Sequence, residues 1–101
     1  MECLQNRDGR SLELRLRGKF TFANHSSFKP ILADIQAKQF DKVELNLKEL
    51  EFIDSAALGI LLLLQEEIKK THGTLTIRSP QGQVQKMLKI ANFSSVFHVV
   101  D

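Results

Sequence analysis

The 101-residue chain has no tryptophan, no tyrosine, one cysteine, two prolines and five isolated glycines. Each scarcity excludes something. The lone Cys3 cannot close an internal disulfide, and no cysteine and histidine cluster has the spacing of a zinc site. With no secretory leader in view, the expected setting is a reducing cytoplasm. Gly9, Gly18, Gly59, Gly73 and Gly82 stand alone, so no glycine-rich cradle for phosphates exists and no cofactor is expected. The greasiest run, Leu58 to Leu64, falls far short of the roughly 20 residues of a bilayer-spanning helix, which argues against membrane insertion. Nor does either charge dominate: 14 basic and 12 acidic side chains are interspersed, for a net charge of +2. Nucleic acid is therefore not an expected partner.

What is present describes a globular chain, 43% apolar and 26% charged, with seven phenylalanines to supply aromatic packing. Its length suits one hydrophobic core, hence a single domain over residues 1–101. "SLELRLRG" alternates Leu12, Leu14 and Leu16 with charged residues, a half-buried strand ending at Gly18. A short strand at Cys3 to Gln5 precedes it, with Asp8-Gly9 as the hairpin turn. Phe28, Ile31, Leu32 and Ile35 follow helical spacing, so a helix starts near Asn24–Ser27 and runs to about Lys38. "KVELNL" is strand-like again. Helix is then expected from Ser55 to about Thr71, stopped by Gly73. "TLTIRS" reads as strand, Ser79-Pro80 as a cap and first helical residue, and "VFHVVD" as a closing strand. The order is β-β-α-β-α-β-α-β, an α/β fold with a mixed sheet of four to five strands, three to four helices and right-handed crossovers that cover the sheet.

The pair Asp54-Ser55 stands directly before the leucine-rich helix and has three readings. Either residue is a good N-cap, worth about 1 kcal/mol, and the Asp54 carboxylate also complements the positive end of the helix dipole. A catalytic serine would need a base and an oxyanion hole. No G-x-S-x-G elbow is present, Leu58 stands where Ser-x-x-Lys needs its lysine, and His25, His72 and His98 are scattered. An enzyme is therefore not expected. The third reading is an address for phosphate: a helix N-terminus welcomes an anion, and phosphorylating Ser55 would add about −1.5 to −2 charges. Ala56, Ala57, Leu58 and Gly59 beside it are small or apolar, a surround suited to a partner that a dianion would repel. Each 1.4 kcal/mol of that penalty is about tenfold in affinity. The helix is too apolar for one buried stripe, so strands bury most of its leucines or some are left for docking.

"NLKELEFIDSAALGILLLL" resembles the STAS family, the bacterial anti-sigma-factor antagonists and related transporter-tail domains. It matches that family's hydrophobic strand, polar turn, aromatic and Asp-Ser-(Ser/Thr)-Gly-Leu-Gly helix start. "LRLRGKFTF", "HGTLTIRSP" and "VQKMLKIANFSSVFHV" extend the likeness across nearly the whole chain. The resemblance implies that Ser55 is the phosphoacceptor and Asp54 the matching aspartate. It implies an anti-sigma factor or related regulator as partner, with a serine kinase and a PP2C-type phosphatase acting on Ser55. Three positions depart from the pattern: Ala56 removes a second hydroxyl, Ala57 replaces a glycine, and Thr21 replaces the acidic residue of the first loop, which in the family lies beside the phosphoserine loop. The alternative is a STAS subunit docking constitutively, for example onto a transport or lipid-handling complex, with Ser55 only capping.

Overall fold

The structure is a computed structural model that describes residues 1–92 and 98–100. Strands β1 (Glu2–Asp8) and β2 (Ser11–Phe20) form an antiparallel hairpin that turns at Gly9, whose φ of +61° favours glycine. A 3₁₀ segment (Phe22–Phe28) leads into helix α1 (Lys29–Gln36), then strand β3 (Lys42–Ile53) and helix α2 (Ser55–Lys70). Strand β4 (Thr74–Arg78), helix α3 (Gly82–Ile90) and strand β5 (His98–Val100) complete the order. Val96, Phe97 and Asp101 of the expected closing strand lie outside the described residues.

The five strands lie in chain order across the sheet, with β2 to β5 parallel. Each parallel step moves in the same direction, so crossovers of one hand put every helix on one face. Burial agrees. Leu12, Leu14, Leu16, Val43, Leu45, Leu47, Leu75 and Ile77 are buried, as are Ile31, Ile35, Leu61, Leu64, Ile68 and Val84 on the helices. The expectation that helices cover the sheet therefore holds for one face only. The other face is polar and tied by cross-strand ion pairs: Arg17 to Glu49 at 2.6 Å, Arg15 to Glu49 at 3.4 Å, Arg78 to Glu44 at 2.8 Å. Such half-exposed pairs contribute little each.

Four local expectations are corrected. First, β2 continues past Gly18 and β3 past Leu47, because two register shifts, between Arg15 and Arg17 and between Gly18 and Lys19, let Leu47, Leu50 and Ile53 all stay buried. A spacing of three inside a strand defeats a period-of-two reading. Second, α3 opens with Gln81 as N-cap and Gly82 as first residue, not at Ser79-Pro80. Ser79 instead turns with φ +56° and donates its N–H to Val100 O at 2.7 Å, and Pro80 is buried. Third, the left-handed residue after α2 is His72 (φ +63°), not Gly73. Fourth, α1 is entered through the 3₁₀ segment and ends at Gln36.

Below the helices, Arg10 ties the hairpin to the loop before β3 by donating to both carboxylate oxygens of Asp41, at 2.8 and 3.0 Å. That hydrogen bond is the main cause holding the Asp41 carboxyl below its usual range.

Candidate functional site

The parallel strands β2 and β3 both run on to the same edge, where Phe20 pairs with Ile53 and the chain turns into α2. Asp54 organises the turn. Its backbone is extended, and its Oδ1 accepts from Ala57 N–H at 2.8 Å, which caps α2. Its Oδ2 accepts from Phe22 N–H at 3.2 Å, and its own N–H donates to Phe20 O at 3.2 Å. One carboxylate thus satisfies a free helical donor and also staples the β2 exit loop to the helix start. Ser55 is left as the first helical residue, exposed, its hydroxyl without a hydrogen-bond partner among the described residues. Capping belongs to Asp54, and the Ser55 hydroxyl is not needed for it.

Behind this turn stands a residue that the sequence reading passed over. Gln83 of α3 donates Nε2–H to Ile53 O at 2.9 Å and accepts from Ile53 N–H on Oε1 at 3.0 Å. Both polar groups of a fully buried residue, immediately before Asp54, are met by one side-chain amide. Nothing local to Gln83 signals this, because the partner lies 30 residues away in sequence.

Phe22 was also missed, although a phenylalanine in the polar loop "TFANHSS" was a visible cue. It is 62% exposed and stacks on His25 with centroids 4.7 Å apart. The His25 ring faces Phe22 O through Nδ1 at 3.0 Å, so Nδ1 carries the proton and donates. Thr21, in the same loop, donates its N–H to Asn24 Oδ1 at 3.0 Å, fixing the start of the 3₁₀ segment. The first loop and the Asp54-Ser55 turn therefore lie together.

The expected surround of Ser55 divides by helical phase. Ala57 and Leu58 are corrected to core residues, 0% and 8% exposed, because they share the inward side with Leu61, Leu64 and Ile68. Ala56 and Gly59 are exposed, and one or two turns further on Leu62 and Leu63 stay outside as well. The leucine-rich helix thus buries one stripe and leaves two leucines on the side that carries Ser55. Gly59 faces open space: a Cβ there would meet nothing within 4 Å. Glycine inside a helix is destabilising, so Gly59→Ala is expected to raise stability by about 0.5–1 kcal/mol, read as a higher urea midpoint. A loss of stability would show that the backbone at Gly59 is not regular helix.

Other chemistry finds little footing here. None of His25, His72 and His98 hydrogen-bonds Ser55 among the described residues, and no group of three or more His, Cys, Asp or Glu among them could hold a metal ion. No helix among them is long and apolar enough to cross a membrane. Cys3 is half-buried, and that burial pushes its thiol up, away from the reactive thiolate. Two surface hollows, of about 260 and 670 Å³, are lined by sheet residues such as Glu13, Glu44, Arg17 and Glu49, and neither includes Ser55.

These features define a small α/β domain with a one-sided helical layer and a capped helix start that presents a free serine beside exposed apolar side chains. The chain belongs to the STAS domain family, which it matches over residues 4–101. It is 28% identical over 97 residues to a STAS-domain containing protein of Pseudomonas aeruginosa, covering 96% of this chain and 95% of that one. It is 29% identical over 86 residues to a Bordetella bronchiseptica protein named as an anti-sigma factor antagonist, BtrV, covering 85% of this chain and 74% of that one. Among solved structures it resembles the unphosphorylated form of the anti-sigma factor antagonist SpoIIAA, with a TM-score of 0.84, 19% identity and coverage of 99% and 88% of the two chains. At that identity the structural likeness is one of fold.

Proposed function

We propose that this protein is a non-enzymatic, cytoplasmic anti-sigma factor antagonist that works by partner switching, with Ser55 as phosphoacceptor. The observation that carries the reading is the separation of roles at the start of α2: Asp54 caps the helix, and the Ser55 hydroxyl stands free at its electropositive tip. A modifying group can be added there without breaking a structural hydrogen bond. The relative named as an anti-sigma factor antagonist supports the choice of partner.

Unmodified, Ser55, Ala56 and Gly59 offer a low-relief surface, with Leu62, Leu63 and Phe22 as apolar contacts for an anti-sigma factor or related regulator. A serine kinase adds a dianion that the helix N-terminus tolerates, so the domain stays folded. The partner must then desolvate that charge, next to the carboxylate of Asp54, and lets go. A PP2C-type phosphatase restores binding. Thr21 and Asp54 frame the surface, while Ala57 and Leu58 support it from beneath.

Capture of the partner from cell extract by wild type, Ser55→Ala and Ser55→Asp tests the reading, alongside mass spectrometry of the native protein for phosphate on Ser55. Wild type and Ser55→Ala are expected to hold the same partner, and Ser55→Asp to weaken it by about tenfold or more, at least 1.4 kcal/mol. Equal capture by all three, with no phosphate found, would favour constitutive docking onto a transport or lipid-handling complex.

A further inference from the structure

The sheet ends on one side at β1, and no strand pairs with its outer side among the described residues. A bare edge presents a row of backbone donors and acceptors to any other strand, and proteins blunt such edges with charged side chains, lysine above all, with proline, with bulges or by keeping the strand very short. The opposite edge, β5, covers three of the described residues. β1 carries charge only towards its ends, at Glu2, Arg7 and Asp8, and has none of the other protections. It spans seven residues, carries no lysine or proline, and pairs with β2 without a register shift from Glu2↔Arg17 to Asp8↔Ser11. Its central residues Cys3, Leu4, Gln5 and Asn6 are uncharged, and Leu4 is 49% exposed on the face away from the helices.

We propose that two copies of this chain pair β1 against β1, antiparallel about Leu4, joining two five-stranded sheets into one. The occupant follows from charge and register. About a twofold axis normal to the sheet, paired residues must share a face, so their numbers sum to an even value. The register centred on Gln5 sets Glu2 against Asp8 on both sides of the axis, and like charges directly opposite are destabilising. The register centred on Leu4 pairs Met1 with Arg7, Glu2 with Asn6, Cys3 with Gln5 and Leu4 with itself, and opposes no like-charged side chains. An apolar pair sits on the axis where each Leu4 is now half exposed. The axis reverses strand direction, so the two Ser55 surfaces lie at opposite ends of the joined sheet, both open. Dimerisation is therefore independent of the phosphorylation reading.

Sedimentation equilibrium on protein with no N-terminal tag tests the dimer. The mass of wild type and of Ser55→Asp should rise with concentration from 11.5 kDa towards twice that value. Leu4→Lys, which sets two ammonium groups face to face, should weaken association at least tenfold while keeping the wild-type circular dichroism spectrum. In a Cys3→Ser background, Leu4→Cys should oxidise to a cross-linked dimer, since the Cα atoms of directly opposed residues lie about 4.5–5.5 Å apart, within the span of a disulfide. Asn6→Cys in the same background, opposed to Glu2, should not. A wild-type mass that stays monomeric to about millimolar concentration, association untouched by Leu4→Lys, or equal cross-linking at positions 4 and 6 would each overturn the proposal.

Discussion

Replacing Gly73 with alanine is expected to lower stability by about 2–3 kcal/mol, the upper range for overpacking a tight site. For a domain of this size that corresponds to a fall in Tm of roughly 10–20 °C. The added Cβ would lie 2.8 Å from Asp41 O, 2.8 Å from Ile68 Cδ1 and 2.9 Å from Ile68 Cγ1. Neither neighbour can yield cheaply. Ile68 is buried in the core, and Asp41 O accepts the Thr74 N–H at 2.9 Å, a bond that starts β4 beside β3. The cause is therefore space and not backbone conformation. His72 makes the contrast: it occupies the left-handed region at φ +63°, so His72→Gly should be neutral or mildly stabilising. Thermal melts of the two variants decide the matter. A Gly73→Ala protein melting within a few degrees of wild type would show that α2 and the loop before β3 separate at little cost.

Gln83→Leu is the second large effect, expected at about 2–4 kcal/mol. The substitution keeps the side chain's bulk but removes both ends of the amide that meets Ile53. Ile53 is fully buried, so its N–H and C=O would be left without water or a replacement, at about 1–3 kcal/mol each. The loss should also show locally. Ile53 precedes Asp54, so amide exchange at Asp54 to Ala57 should speed up beyond what the global loss of stability explains. Gln83→Glu keeps an acceptor for Ile53 N–H but sets an oxygen against Ile53 O, so it should fall between wild type and Gln83→Leu. If denaturant unfolding places Gln83→Leu within about 0.5 kcal/mol of wild type, the clamp contributes nothing net and the turn is held by Asp54 alone.

Much of the fold was legible because local periodicity is written along the chain. The alternation of Leu12, Leu14 and Leu16 marked β2, and all three are buried. Phe28, Ile31 and Ile35 marked the inner side of α1 and its entry, and they too are buried. The hairpin is also where it was expected, with its two turn residues one position later at Gly9-Arg10, and α2 starts at Ser55 as the residues placed it. The candidate site was half legible. Asp54-Ser55 stood out as a polar pair before a leucine run, but which of the two caps the helix did not. Ser and Asp are near-equal caps in isolation, and the choice rests on Asp54 also reaching Phe22 N–H, 32 residues distant.

The amino-acid order by itself determined the element sequence, the mixed sheet and the location of the serine at a helix start, since each follows from neighbours within a turn or a strand. Only the tertiary structure decided that the helices take one face of the sheet, that His72 and not Gly73 turns the chain, and that Gln83 and Phe22 join Asp54 around Ser55. Those outcomes depend on which segments meet across some 30 residues of chain. A buried backbone group must find its partner wherever packing brings one, and no local pattern records where that will be.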